Sequence, residues 1–324
     1  MRSRMILRAG MSLGVALTLS LGVSGTAFAQ RVIRMVVPYG AGAVQDTVAR
    51  AFSNELGLAL GASVVVESRA GAGGTIGTAY VAKSAPDGNT LLLAAASHTL
   101  AGHLYAKLPY DPMKDFTGVA LLGYAGYVIA APASLGVNTL AEYVRLVKSK
   151  PGQLNYASAG NGSATHLGMA YFLAKAGLEM QHIPMKSTGD AVNEVLGARV
   201  QGVTSATTGV VGYRGDARIK MLAYTGAQRS KFLPELHTVA ESGLPGFKFD
   251  AWMGVLAPAG LPKAELDRLN SAVQKVLADP VVQERFARIG IESTTASPEE
   301  FQKVLRADWD TAAQIVKASG ARIE

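Results

Sequence analysis

Short apolar runs alternate with longer amphipathic stretches along most of this chain. Period-two runs predict strands, and apolar positions three and four residues apart predict helices. The predicted strands cover residues 31–37, 63–67, 90–95, 119–124, 127–131, 154–157, 179–183, 199–203, 219–224 and 252–257. The predicted helices cover residues 44–60, 75–85, 140–148, 165–176, 191–196, 263–277, 281–289 and 298–318. This alternation indicates an α/β fold with parallel sheets that helices cover on both faces.

Residues 116–141 carry no charge and could be mistaken for a membrane span. Glycines, Pro132 and Asn138 interrupt this stretch and divide it into two short strand-like runs. We therefore expect buried strands here rather than a helix that crosses a bilayer.

The sequence contains no low-complexity tract, repeat or charged linker between domains. A length of 324 residues suggests about two domains. An α/β chain can leave one sheet, build a second and return to the first. With crossovers near Pro132 and residues 244–246, we predict one domain from residues 30–131 plus 247–324 and a second from residues 132–246.

The first 29 residues have the pattern of a secretory signal peptide. Their positively charged beginning contains Arg2, Arg4 and Arg8. An apolar run at residues 11–23 and an A-x-A site at residues 27–29 follow. This run is shorter than the ~20 residues of a membrane-spanning helix, so we expect cleavage and a mature chain that starts at Gln30.

Composition excludes several classes of protein. With 49% hydrophobic and 17% charged residues and aperiodic glycines, the chain is neither disordered nor collagen-like. It has no cysteine, which excludes disulfides, thiolate metal sites and a cysteine nucleophile. The net charge of +7 falls to +4 without the three signal-peptide arginines, so we expect no nucleic-acid partner.

Three strand-to-helix loops have the composition to bind an anion. We call residues 38–46 the first loop, residues 69–77 the second loop and residues 158–166 the third loop. Small residues let N–H groups approach a ligand, and a helix start adds partial positive charge. Each loop alone also fits an ordinary turn, in which Asp46 complements the helix dipole and Ser163 or Thr165 is an N-cap. Together, loops at this edge of an α/β sheet favour one shared cleft.

Motifs for other chemistry are incomplete in this sequence. The second loop has Ile76 where a dinucleotide fingerprint requires glycine, and no P-loop motif occurs. The five histidines show no recognisable metal-ligand spacing. Ser158 lacks the first glycine of G-x-S-x-G, yet a secreted hydrolase using Ser158 or Ser163 with a histidine stays open, because triads are defined in space. We predict no enzyme activity, no metal and no cofactor.

The chain resembles the solute-binding receptors of tripartite tricarboxylate transporters, the Bug or TctC family, through nearly its whole mature length. The matching motifs are the first loop ending in Asp46, ESRAGAGG at residues 67–74, IG at 76–77, PDGNTL at 86–91, LPYDP at 108–112, KDF at 114–116, SAGNGSATHL at 158–167, HIP at 182–184, RS at 229–230, LP at 233–234, AESGLPG at 240–246, Trp252, and AP at 257–258. The resemblance implies a two-domain, type II periplasmic-binding-protein fold, a Venus flytrap with a ligand cleft between its domains.

The resemblance also implies a function. It indicates a monomeric periplasmic receptor that closes on a small organic carboxylate and delivers it to the membrane permease subunits of a tripartite transporter. The implied ligands are di- and tricarboxylates or an aromatic acid such as terephthalate. A receptor that presents its ligand to a sensor system is a second alternative.

Positions that match the family's binding loops are implied to contact the ligand. They are Tyr39, Gly42, Ala43, Asp46, Gly74, Ser97, Ser158, Asn161, Gly162, Ser163, Lys186, Ser187 and Ser205. This chain departs from the family pattern at Ala43, where a second glycine is usual, and at Met185, where tyrosine is usual. Ser205 stands where many relatives have aspartate. Since serine supplies only a neutral hydroxyl, we expect a ligand without a free ammonium group.

Overall fold

The structure, a computed structural model, describes residues 31–319, so the predicted signal peptide lies outside the described residues. The strands are β1 (Val32–Val37), β2 (Ser63–Ser68), β3 (Thr90–Ala95), β4 (Phe116–Pro132), β5 (Asn155–Ser158), β6 (Gln181–Pro184), β7 (Gly202–Ala206), β8 (Ile219–Tyr224), β9 (Asp250–Pro258) and β10 (Glu292–Ser293). The α-helices are α1 (Val44–Leu60), α2 (Thr75–Ala82), α3 (Ser97–Leu104), α4 (Leu140–Ser149), α5 (Ala164–Ala176), α6 (Thr188–Leu196), α7 (Thr207–Val210), α8 (Lys263–Leu277), α9 (Pro280–Ile289) and α10 (Pro298–Ser319). Short 3₁₀ turns occupy Ala72–Gly74, Ala133–Leu135 and Val211–Tyr213.

Within residues 31–319, strand β4 joins two lobes. In the first lobe, residues 116–126 of β4 pair with β9, and the strand order is β2-β1-β3-β9-β4. In the second lobe, residues 127–132 of β4 pair with β7 and β8, and the order continues β7-β5-β6. The α/β prediction is confirmed. The prediction of parallel sheets holds for β1, β2 and β3 and for β5, β6 and β7. It is wrong for β4 and β9, which run antiparallel to their neighbours.

Strand β4 is continuous where the sequence predicts two short strands. Its register against β9 shifts between Gly118 and Ala120 and again between Leu121 and Gly123. The glycines therefore lie at bulges rather than at strand ends. Gly123 has φ +157°, and a Cβ atom there would lie 2.4 Å from the carbonyl oxygen of Glu292. A side chain at position 123 would consequently prevent β10 from pairing with β4.

Each lobe buries apolar side chains on both faces of its sheet. Along β1, Ile33 and Met35 pack with α1, α8 and α9, whereas Val36 packs on the opposite face with Trp252 and Phe301. In the second lobe, α4 and α5 cover one face and α6 covers the other. The residue boundaries predicted for the two domains stay a prediction.

Helix α10 packs against both lobes. Near its start, Phe301 is fully buried, and its ring lies 5.5 Å from that of Trp252 in an edge-to-face arrangement. Near its end, Ile315 belongs to the core of the second lobe. Among residues 31–319, no helix is both long and apolar enough to span a bilayer.

Asn270 on α8 provides side-chain donors to carbonyl groups beside the first bulge of β4. Its Nδ2 donates to the carbonyl oxygens of Val119 at 2.8 Å and Ala296 at 3.1 Å, and the residue is buried. We expect Asn270→Leu to lower the free energy of unfolding by about 1–3 kcal/mol, because the Val119 carbonyl loses its side-chain donor and the Ala296 carbonyl keeps only the one from Gln274.

Urea denaturation measures this change. Lys275→Gln, an exposed position on the same helix, is the control and should stay within about 0.5 kcal/mol of the unsubstituted protein. Equal denaturation midpoints for the two variants would show that Asn270 does not stabilise the bulge.

Candidate functional site

A cavity between the two lobes brings the three loops together. Its volume is about 360 Å³, within the range of small-molecule sites. The loops contribute Tyr39, Val44, Gln45, Gly73, Gly162 and Ala164 to its wall. We call this cavity the cleft. The loops that the sequence analysis singled out therefore line a shared space, although they are far apart in the chain.

Several helices begin at the wall of the cleft. The first residues of α1, α3, α5 and α7 line it, namely Val44, Ser97, Ala164 and Thr207. First-turn N–H groups have no intrahelical acceptor and carry partial positive charge. Ala43 and Ala96, which precede α1 and α3, provide no side-chain cap. The cleft thus offers N–H donors from both lobes to an anion.

Helix α3 forms an apolar wall of the cleft. Leu100, Ala101 and Leu104 face the cavity at helical spacing, and Met253 of β9 adds to this surface. Among residues 31–319, none that lines the cleft has a charged side chain. Helix α3 is not among the predicted helices, because it follows β3 after a single residue and no turn signal separates the two. The spacing of Leu100 and Leu104 was the signal that could have revealed it.

Hydroxyl groups add neutral donors to the cleft wall. Tyr39 Oη donates to Ser97 Oγ at 2.8 Å. Burial raises the pKa of Tyr39, and the hydrogen bond that Tyr39 donates to Ser97 opposes this only in part. At the crossing of β4 between the lobes, burial raises the pKa of Tyr127 to about 12. Both phenols are therefore protonated at neutral pH and can donate hydrogen bonds.

Asp46 anchors the first loop through hydrogen bonds on the side away from the cleft. Its Oδ2 accepts hydrogen bonds from the Gly42 N–H and Arg50 Nε, both at 3.0 Å. Its Oδ1 accepts from Arg50 Nη2 at 3.0 Å and from Ser68 Oγ at 3.1 Å. The hydrogen bonds from Arg50 are the main reason that the pKa of Asp46 is lowered. The carboxylate thus ties the first loop to β2, and it is not among the residues that line the cleft.

Residues 48–321 match the family model described as the tripartite tricarboxylate transporter family receptor, TctC. This chain belongs to the TctC family. Its members are periplasmic solute-binding receptors, and the predicted resemblance and two-domain fold are confirmed.

Known proteins that are similar to this chain over nearly its whole length support this assignment. BugT of Bordetella pertussis is 32% identical over 304 residues, which cover 93% of each protein. A TctC solute-binding protein from Polaromonas, solved without ligand, has a TM-score of 0.82 at 26% identity and covers 90% of this chain and 99% of its own. Rpa4515 of R. palustris, solved with adipate, has a TM-score of 0.73 at 28% identity and covers 91% of this chain and 100% of its own.

The third loop of this TctC receptor has one side toward the cleft and one toward a second cavity. Gly162 lines both, and Asn161 lines only the second cavity, whose volume is about 900 Å³. Ser163 is the N-cap of α5, since its Oγ accepts from the N–H of His166 at 3.2 Å. Ser158 is fully buried, and its Oγ lies 2.6 Å from Nε2 of His182.

The other predicted ligand residues of the receptor lie beside or away from the cleft wall. A Cβ atom at Gly74 would lie 3.3 Å from the ring of Tyr39, so this glycine leaves room for that side chain. Ser205 is buried next to Ala206, which lines the cleft. Lys186 and Ser187 are exposed, and Ser187 caps α6.

The structure therefore places three of the predicted residues, Tyr39, Ser97 and Gly162, in the cleft wall, and their binding roles stay a prediction. In the described part of the chain, no three histidine or acidic side chains cluster as metal ligands.

Proposed function

We propose that this receptor captures a small organic anion with one or more carboxylate groups and an apolar body. We further propose that it delivers this ligand to the membrane subunits of a tripartite tricarboxylate-type transporter. The observation that carries the proposal is the set of helix starts around a cleft without charged lining residues. A carboxylate would accept hydrogen bonds from these N–H groups, and α3 would contact its carbon skeleton.

Classes of ligand differ in how well they match the lining of the cleft. A di- or tricarboxylate or an aromatic acid has an anionic group for the helix starts and carbon atoms for the apolar wall. An amino acid would also bring an ammonium group, for which the cleft lining offers no carboxylate. Adipate, bound by the relative Rpa4515, has the favoured chemistry and is a suitable first probe.

The proposed contacts come from both lobes. Ser97, whose Oγ accepts from Tyr39 Oη, would donate its own hydroxyl hydrogen, and the starts of α1 and α5 would donate through main-chain N–H groups. Gly42, Ala43 and Gly74 would shape the first-lobe side from the adjacent loops. Closure of the predicted domains, residues 30–131 plus 247–324 and residues 132–246, would exclude water from the ligand.

A serine hydrolase receives less support from the geometry. Ser158 does approach His182, as a nucleophile would approach its base. However, Ser158 is fully buried, its Oγ also accepts from the Gly160 N–H at 3.1 Å, and it does not line the cleft. We therefore propose binding without chemistry.

A thermal-denaturation panel tests the proposed function. We expect di- and tricarboxylates or aromatic acids, at about 100 times the dissociation constant, to stabilise the mature protein by about 2.7 kcal/mol and raise Tm by several degrees. Methyl esters of the same acids are the control, because they lack the anionic charge.

Stabilisation by amino acids alone would refute the ligand class. A panel with no stabilising carboxylate would refute the proposed function as a whole.

A further inference from the structure

A pair of stacked histidines contacts both ends of the third loop. The rings of His166 and His182 lie 4.1 Å apart with an interplanar angle of 14°. Nε2 of His182 lies 2.6 Å from Oγ of Ser158, where the loop begins. Nδ1 of His166 accepts a hydrogen bond from the N–H of Gly162 at 3.1 Å, just before α5 begins.

The contact between Gly162 and His166 requires a neutral imidazole. A main-chain N–H can only donate, so Nδ1 of His166 must carry a lone pair. Protonation would place a hydrogen on Nδ1 and set two donors against each other. The N–H of His166 also donates to Ser163 Oγ, so His166 occupies the position that Glu or Gln takes in a capping box. Unlike Gln, histidine can lose its acceptor near physiological pH.

The second cavity gives protons a route to these rings that does not pass through the cleft. Both imidazoles line it. Among residues 31–319, the other titratable side chains in its wall are Tyr156, which stacks on His182 at 5.0 Å, and Glu179. The described end of α10 contributes Ala318 and Ser319, neither of which titrates in this pH range. Burial lowers the pKa of His166, and burial together with the neighbouring His166 lowers that of His182 to about 4.

We propose that His166 is a positioning residue for ligand binding: its neutral ring holds Gly162 and the start of α5 in place, and protonation of the ring releases them. This inference rests on the proposed function, because it takes the start of α5 to contact the ligand. Ala164 follows Gly162 by two residues and lines the cleft, so movement of Gly162 displaces an N–H donor from the ligand.

Two substitutions at His166 distinguish the role of its hydrogen-bond acceptor from the role of its titration. In His166→Asn, the amide oxygen takes the place of Nδ1 but does not titrate, whereas His166→Leu removes the acceptor. Calorimetry with adipate between about pH 8 and pH 5 is the measurement. We expect the Leu variant to bind about fivefold more weakly at neutral pH, and the Asn variant to bind within about twofold of the unsubstituted protein.

The pH dependence supplies a second readout. The unsubstituted protein should hold its affinity above pH 7, the ordinary range of neutral histidine, and lose it on acidification as His166 binds a proton. Adipate itself also binds protons in this pH range, and this lowers the affinity of the unsubstituted protein and of the Asn variant equally. Any additional loss of affinity in the unsubstituted protein is therefore caused by protonation of His166. His237→Asn, at an exposed histidine, is the matched control and should retain the full pH dependence.

A measurement without ligand separates this inference from the proposed function. The ¹⁵N chemical shift of the Gly162 amide should change with acidification in the unsubstituted protein and not in His166→Asn. If the Gly162 chemical shift changes but adipate and the other carboxylates do not bind, the proposed function is refuted. The control of the third loop by protonation of His166 is then still supported. An unchanged Gly162 signal, or an Asn variant that behaves like the Leu variant, overturns the inference. If the Leu variant does not fold, comparison of the unsubstituted and Asn proteins decides alone.

Discussion

Ala164→Asp is expected to lower the affinity for adipate at least about 100-fold while the protein stays folded, a loss of about 2.7 kcal/mol. Ala164 is the first residue of α5 and lines the cleft. A carboxylate at a helix start interacts favourably with the helix dipole, so the substitution does not disturb α5. The same carboxylate repels an anionic ligand and competes for the N–H donors.

Ala164→Asn is the matched control, since it has nearly the same shape without the charge. We expect its affinity to be much closer to that of the unsubstituted protein, as measured by calorimetry with adipate. Thermal denaturation of the ligand-free variants checks that both are folded. Equal affinities for the Asp and Asn variants would show that the start of α5 does not approach the ligand's charge.

Asp46→Ala is expected to lower the free energy of unfolding by about 2–4 kcal/mol. The substitution leaves the Gly42 N–H, Arg50 and Ser68 Oγ without their shared acceptor. Affinity for adipate should fall as well, because the freed first loop carries Tyr39 and the start of α1. Urea denaturation and calorimetry measure the two effects.

The pH dependence of stability provides an independent check on Asp46. Because its folded-state pKa is lowered, its contribution is complete above the ordinary aspartate value of 3.8 and is lost as pH falls through the folded-state pKa. The unsubstituted protein should therefore lose more stability below about pH 4 than Asp46→Ala does.

The control is Asp267→Ala, which removes an exposed ion pair with Lys263 on α8. It should change stability by less than about 1 kcal/mol. An Asp46 variant that is as stable as this control would show that the network does not hold the first loop.

The local hydrophobic pattern of the sequence correctly predicts those helices whose ends are determined by neighbouring residues. The bounds of α1 and α8 agree with the predicted 44–60 and 263–277. Gly61, in the left-handed conformation, ends α1, and Pro262 precedes α8. Strand β4 could not be predicted in this way, because its bulges and its direction depend on β9, a segment far along the chain.

The candidate site shows the same limit. Small residues between a predicted strand and a predicted helix identify all three loops. Which way a side chain points depends on distant partners. Asp46 turns toward Arg50 and Ser68, and Ser158 turns toward His182, so neither lines the cleft. The wall formed by α3 is likewise visible only once β3 and β9 are paired.

The pairing of β9 with both β3 and β4 also affects how the chain is made. A ribosome must translate as far as Pro258 before the central pairs of the first lobe can form. Such non-local strand pairing is slow, because loop closure precedes any stabilising contact. We therefore expect the first lobe to complete its sheet late in synthesis, after β1, β2 and β3 have already been exposed to solvent for most of translation.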